Sequence, residues 1–129
     1  MSETKCVLLV DDEVEVTALL QRRLSHRGYE CLFAYCGESA LELMQKHVFD
    51  VVIMDVKMPG MGGMAALGQV RQHYPQVPVI LLSGHADMQA AVEAMQGGAF
   101  GYLMKPVDFD ELLFKIEDAA TQTRLEKNI

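Results

Sequence analysis

The sequence contains no tryptophan, and only three of its 129 residues are cysteines. Cys6, Cys31 and Cys36 are odd in number and lack the C-x-x-C spacing of zinc sites and dithiol redox sites. This pattern argues against a fold held together by paired disulfides or by a cysteine-bound metal. It is typical of small buried side chains, and we expect a reducing, cytoplasmic location.

The sequence also lacks a long apolar run, since the first one, CVLLV, has only five residues before Asp11. A helix that crosses a bilayer needs roughly 20 apolar residues. Residues 1–5 are polar, unlike the start of a signal peptide. We therefore expect neither a membrane segment nor a secretory leader.

Positive charge is scarce as well. Eleven lysine and arginine residues stand against eighteen aspartate and glutamate residues, which leaves a net charge of −7 at pH 7. Such a surface repels nucleic-acid backbones and anionic lipid heads, so we expect no direct nucleic-acid binding by this domain and no membrane association. Half of the residues are hydrophobic, which at this length suits one domain with a single core, placed at residues 1–129.

Short apolar runs alternate with stretches of helical period along the whole chain. The strand-like runs are 6–10, 29–35, 50–55, 77–84 and 99–104. Such alternation predicts an α/β fold with a doubly wound, five-stranded parallel sheet and five helices. Because crossovers are right-handed, few windings remain, and the flavodoxin-like strand order 2-1-3-4-5 is one of the two common ones.

The helices have apolar stripes and terminal signals. The stripe expected on the first helix comprises Val16, Leu19, Leu20 and Leu24, and the one on the second comprises Ala40, Leu41, Met44 and Val48. Asp87 is the expected cap of the fourth helix. Asp108 followed by Glu111 three residues later has the spacing of a capping box for the fifth helix.

Polar residues follow four of the predicted strands. Asp11 and Asp12 follow the first, Asp55 the third, Ser83 the fourth and Lys105 the fifth. In the order 2-1-3-4-5 these strands are neighbours, so the polar groups converge on one edge of the sheet, where ligands bind in such folds. Three carboxylates at about 5 Å repel by roughly 3 kcal/mol per pair at an effective dielectric near 20, which favours a bound Mg²⁺.

The remaining groups suit phosphoryl chemistry. The ammonium of Lys105 and the hydroxyl of Ser83 are the kinds of group that stabilise an incoming phosphoryl group, and Asp55 can act as the nucleophile that becomes an aspartyl phosphate. Each residue also has an ordinary explanation: Asp12 as a helix cap, Ser83 in a turn, Lys105 as a solvated strand end. Their joint placement at neighbouring strand ends favours the chemical interpretation.

Four segments carry a resemblance to one family. These segments are LLVDDE (8–13), VVIMDVKMPGMGG (51–63), LLSGHAD (81–87) and GAFGYLMKPVD (98–108). In this order, each at the end of a predicted strand, they resemble the receiver domain of two-component response regulators, whose fold is that of the chemotaxis regulators. The resemblance covers essentially the whole chain.

The resemblance implies roles for individual residues. Asp55 is the phosphoacceptor, and Asp11 and Asp12 bind Mg²⁺ together with Asp55 and the backbone carbonyl of Lys57. Ser83 and Lys105 contact the phosphoryl group. The donor is a phosphohistidine on a sensor histidine kinase or a phosphotransfer protein, and the domain catalyses its own phosphorylation and dephosphorylation without being a conventional multiple-turnover enzyme.

The family also implies a switch. Ser83 and Tyr102 change position on phosphorylation, and the face made by the fourth helix, fifth strand and fifth helix changes shape. That face serves an output domain, a downstream protein or a phosphorylation-dependent dimer. Lys57 and His85 border the phosphoryl group and tune its lifetime, and the Lys105–Pro106 bond is usually cis in the family.

The chain departs from the family pattern at three positions without losing a required chemical group. Gly62 and Gly101 stand where acidic residues are frequent, and Ser83 replaces the commoner threonine. An alternative function is that of an unphosphorylated interaction module. A Mg²⁺-dependent phosphohydrolase is disfavoured by a lysine at position 57, and a nucleotide-binding domain by DDEVEV in place of a G-x-G-x-x-G loop.

Overall fold

The computed structural model describes residues 5–58, 60–84 and 88–127 of the chain. Strands and helices alternate along it, as the sequence predicts. The strands are β1 (Cys6–Val10), β2 (Glu30–Ala34), β3 (Val51–Asp55), β4 (Val79–Ser83) and β5 (Gly101–Met104). The helices are α1 (Val14–His26), α2 (Gly37–Lys46), α3 (Gly63–His73), α4 (Met88–Gln96) and α5 (Phe109–Lys127).

The five strands form one parallel sheet in the order β2-β1-β3-β4-β5. The predicted fold class and winding are therefore confirmed. Every residue of β3 and β4 is buried, as expected for central strands covered by helices on both faces. The predicted strands extend beyond the observed ones by one or two residues at several ends.

The helices cover the sheet with two apolar layers. One layer packs α1 and α5 against alternate strand residues, with Leu24, Leu112 and Ile116 fully buried. The other packs the second, third and fourth helices against the opposite face; its helical members are Ala40, Met44, Ala66, Leu67, Val70 and Ala94. The core is thus divided by the sheet, and each strand contributes side chains to both layers alternately.

Two predicted core positions are wrong. Leu19 is 51% exposed, because α1 faces the sheet with Thr17, Leu20 and Leu24, so Leu19 lies on the side of the helix next to that stripe. Val48 is 84% exposed, because α2 ends at Lys46 and the chain is extended from His47, so Val48 does not continue the helical face.

The cap of α5 agrees with the sequence. The side chain of Asp108 accepts hydrogen bonds from the backbone N–H groups of Asp110 at 2.9 Å and Glu111 at 3.2 Å. At α1 the capping position is Glu13, which makes no side-chain capping bond, so the structural explanation of Asp12 as a cap is not supported. The predicted cap of α4, Asp87, lies outside the described residues.

Truncating α5 on its buried face tests its role in the core. Leu112→Ala is expected to lower the free energy of unfolding by about 2–5 kcal/mol, since Leu112 is fully buried and its loss leaves a cavity. Phe114→Ala, on the same helix but 68% exposed, is the control and should change it by less than about 0.5 kcal/mol. Urea denaturation measures both, and equal effects would contradict the burial of this face.

Candidate functional site

The candidate site lies at the carboxyl edge of the sheet, where β1 and β3 are neighbours. Val10 pairs with Met54, so Asp11 and Asp55 are the next residues along two adjacent strands. Each of these two aspartates is only 5% exposed. The strand can end in a carboxylate because residues 51–54 fill both core layers and residue 55 is the first to reach the edge of the sheet.

Lys105 joins these acids from the end of β5. Its Nζ donates to Asp11 Oδ2 at 2.8 Å and to Asp55 Oδ2 at 3.1 Å. It also contacts Glu13 Oε1 at 3.2 Å, but that carboxylate is largely exposed. The backbone supports this placement, since Lys105 N–H donates to the carbonyl of Ser83 at 2.7 Å and the Lys105–Pro106 peptide bond is cis.

The acids cluster as a hard metal ion requires. One carboxylate oxygen from each of Asp11, Asp12 and Asp55 lies within 4.8 Å of the other two. Two of the three side chains are buried and Asp12 is exposed, so the cluster opens to solvent on one side. An all-oxygen set of this kind fits a small divalent cation better than a soft metal.

The electrostatics of the site are those of crowded acids around one ammonium. Burial raises the pKa of Asp55, the bonds and charge of Lys105 and the N–H of Lys57 oppose this, and the charge of Asp11 adds to the rise. Burial alone would lower the pKa of Lys105, but the hydrogen bonds and charges of Asp11 and Asp55 raise it above its ordinary value. Lys105 therefore stays protonated, and a further cation would favour the ionised form of Asp55.

Comparison with known proteins identifies the family. A model described as the response regulator receiver domain matches residues 7–117. The chain belongs to this family.

Individual relatives agree. The DNA-binding transcriptional regulator NtrC of Escherichia coli strain K12 is 42% identical over 113 residues, which cover 88% of this chain and 24% of NtrC. The transcriptional regulatory protein ZraR of Salmonella typhimurium is 39% identical over 118 residues, which cover 92% of this chain and 27% of ZraR. The chain spans about a quarter of the length of these two regulators.

A solved structure shows the same fold. The response regulator receiver domain protein from Clostridium thermocellum has a TM-score of 0.89 and 35% identity, and the match covers 94% of this chain and 98% of that one. This protein is therefore a receiver domain of the kind found in two-component response regulators. Among the helices that the structure describes, none has both the length and the apolarity to cross a bilayer.

Lys57 and Ser83 lie beside the acids and Lys105 of this receiver site. Lys57 donates its backbone N–H to Asp55 Oδ1 at 3.2 Å, and its side chain is exposed. Ser83 ends β4 beside the site and is buried. Tyr102 is half-buried on β5, and its hydroxyl is buried with no hydrogen-bond partner among the described residues. His85 lies outside the described residues.

The sequence patterns do not identify two contacts, one at the site and one in the loop that follows Asp55. Glu13 is expected only at the start of the first helix, yet its carboxylate reaches Lys105. Glu38 is expected only in the second helix, yet its Oε1 accepts a hydrogen bond from the N–H of Met61, in the loop after Asp55, at 2.8 Å. The position of Glu13 directly after the two aspartates is a local signal, whereas no pattern in the sequence links Glu38 to residue 61.

Neutralising Asp55 tests the crowding of the acids. In metal-free buffer at pH 7, Asp55→Asn is expected to raise the free energy of unfolding by about 1 kcal/mol, because it removes a buried charge next to Asp11. Asp12→Asn should raise it less, since Asp12 is exposed. A raised pKa means that the ionised form of Asp55 destabilises the fold. The gain in stability of Asp55→Asn should therefore vanish as the pH falls below the ordinary carboxyl range, because Asp55 is then neutral in both the folded and the unfolded state.

The free energy of unfolding of the wild type, Asp55→Asn and Asp12→Asn is measured by urea denaturation from pH 7 to below the ordinary carboxyl range. A loss of stability in Asp55→Asn at neutral pH would contradict the expectation, because it would mean that the bond from Lys105 outweighs the burial of the carboxylate.

Proposed function

We propose that this receiver domain, comprising residues 1–129, is a phosphorylation-dependent signalling switch that accepts a phosphoryl group on Asp55 in a Mg²⁺-dependent reaction. The observation that carries the proposal is the contact of one ammonium, Lys105, with two buried carboxylates beside an open cluster of acids. The donor is a phosphohistidine of a sensor histidine kinase or of a phosphotransfer protein.

The transfer requires little covalent chemistry from the protein. A carboxylate oxygen of Asp55 attacks phosphorus, the new O–P bond forms as the P–N bond of the phosphohistidine breaks, and the imidazole nitrogen leaves with the bonding electron pair. Lys105 Nζ lies 3.1 Å from Asp55 Oδ2, and this contact would pass to a phosphoryl oxygen as that oxygen accumulates charge. Ser83 donates its hydroxyl to another oxygen.

Asp11, Asp12, Asp55 and the backbone carbonyl of Lys57 are the residues that would hold Mg²⁺. When bound, the ion supplies positive charge that offsets the acids and the phosphoryl oxygens. The protein's own part is to hold its carboxylates in place before the ion arrives. The 4.8 Å cluster and the N–H of Lys57 on Asp55 support this role.

The switch uses Ser83 and Tyr102. A phosphoryl group can shift the domain only by binding one of two states better, and a hundredfold preference corresponds to about 2.7 kcal/mol. One or two charge-assisted hydrogen bonds, from Ser83 and Lys105, are of this size. The buried hydroxyl of Tyr102 has no hydrogen-bond partner among the described residues, which supports a second position for this side chain, in which the hydroxyl gains a partner or solvent.

The α4–β5–α5 face is the proposed output surface. Val92 and Met95 on α4 and Met104 on β5 are exposed apolar side chains on this side of the domain. By likeness to NtrC and ZraR, whose names describe transcriptional regulators, the output is control of transcription through an attached domain, a downstream protein or a phosphorylation-dependent dimer. An unphosphorylated interaction module is disfavoured because it has no need of the acid cluster and Lys105.

Phosphorylation by a small donor tests the central assignment. With acetyl phosphate and Mg²⁺, the wild type is expected to gain one phosphoryl group by intact-mass measurement, and Asp55→Asn none. Chelation of Mg²⁺ should reduce the adduct of the wild type at least about tenfold. Asp110→Asn, an exposed acid at the start of α5, is the control and should behave as the wild type. An adduct on both the wild type and Asp55→Asn, or on neither, would overturn the assignment.

A second measurement tests the residue that borders the phosphoryl group. Lys57→Ala is expected to shorten the lifetime of phospho-Asp55 about threefold without preventing its formation, because the long exposed side chain restricts the approach of water. His85 is proposed to act in the same way. Decay of the phosphoprotein after removal of the donor gives the rate, and an unchanged lifetime in Lys57→Ala and in His85→Ala would refute the tuning role.

A further inference from the structure

The loop that follows the phosphoacceptor is held from outside the site. Its described residues are 56–58 and 60–62, and it is closed at its base by the N–H of Gly63, which donates to the carbonyl of Val56 at 2.9 Å. Within it, Lys57 provides the N–H that contacts Asp55. The position of this loop therefore controls the surroundings of the Asp55 carboxylate.

The first turn of α2 braces the middle of the loop. Oε1 of Glu38 accepts the N–H of Met61 at 2.8 Å, across 23 residues of sequence. The chains also approach closely here, since a β-carbon at Gly37 would lie 3.0 Å from the carbonyl oxygen of Met61. The N–H of Met61 lowers the pKa of Glu38, so this carboxylate is ionised at neutral pH and the bond is charge-assisted.

Gly60 makes room for this carboxylate. Its φ is +71°, and a β-carbon at this position would lie 3.3 Å from both carboxylate oxygens of Glu38. The loop therefore turns next to the Glu38 carboxylate at Gly60, the residue where a side chain would crowd that carboxylate. Two independent features, the hydrogen bond at Met61 and the turn at Gly60, fit the loop to the same carboxylate.

We propose that Glu38 is a positioning residue for the receiver site: by holding the loop at Met61, it fixes the backbone of Lys57 and so sets the affinity of the acid cluster for Mg²⁺. Glu38 touches neither the ion nor the phosphoryl group and acts through the loop alone. This inference depends on the proposed function in that Lys57 supplies a metal ligand.

The test compares two substitutions of Glu38 with one at Glu42, an exposed acid one turn further along the same helix. Glu38→Ala removes the acceptor and keeps a good helix former, so the protein should remain folded. Glu38→Gln keeps an oxygen acceptor without the charge. NMR titration with MgCl₂ gives the dissociation constant of each protein for Mg²⁺. Amide hydrogen exchange at Met61 in metal-free buffer reports whether the Glu38–Met61 hydrogen bond is formed.

In Glu38→Ala the amide hydrogen of Met61 is expected to exchange at least about tenfold faster than in the wild type. Mg²⁺ should bind about threefold to tenfold more weakly, as expected for the loss of one exposed, charge-assisted bond. Glu38→Gln should stay within about twofold of the wild type for both quantities, and Glu42→Ala should match the wild type. Phosphorylation by acetyl phosphate should slow in Glu38→Ala at low Mg²⁺ and recover at saturating Mg²⁺.

Several outcomes would overturn the proposal. Unchanged exchange at Met61 in Glu38→Ala would show that the brace does not hold the loop in solution. Faster exchange with an unchanged dissociation constant would show that the loop does not set the affinity, and equal weakening in Glu42→Ala would assign the effect to surface charge. Failure of the wild type itself to bind Mg²⁺ would instead remove the metal from the proposed function, a result that the exchange measurement distinguishes.

Discussion

The ammonium of Lys105 is the group on which the site depends. It stands within hydrogen-bonding distance of two buried carboxylates, Asp11 and Asp55, and of the more exposed Glu13. One positive charge cannot neutralise this many acids, so the site keeps an excess of negative charge with an opening on the side of Asp12. An excess of this kind is what a divalent cation offsets, and in the proposed reaction the same ammonium contacts a phosphoryl oxygen.

The parallel sheet explains how residues so far apart in sequence meet. Lys105 and Asp11 are separated by 94 positions, yet β1, β3, β4 and β5 are consecutive in the sheet and end at the same edge. The central strands β3 and β4 are buried on both faces, which holds their ends at fixed spacing and lets them carry polar groups at the boundary with solvent. The core therefore positions the site without contributing a polar group to it.

The surroundings of the site divide into a fixed part and an adaptable part. On the fixed side, Lys105 is bonded to the acids, and the loop after Asp55 is tied to α2 through Glu38. On the adaptable side, Tyr102 has a buried hydroxyl without a partner among the described residues, and the neighbouring surface of α4 and β5 exposes apolar side chains. Such a division suits a domain that receives a chemical group at one place and changes its surface at another.

The alternation of apolar runs and helical periods determined the fold class and the set of groups at the strand ends, and it reduced the strand order to a few windings, because these features follow from local patterns and from the right-handed crossovers of a βα chain. Tertiary structure decided what the patterns could not express. Leu19 and Val48 are exposed because the angle of α1 on the sheet and the end of α2 depend on packing. The contacts of Glu13 and Glu38 join residues 92 and 23 positions apart, and such pairs are set by how the chain folds back on itself, since a hydrogen bond across that distance leaves no periodic trace in the sequence.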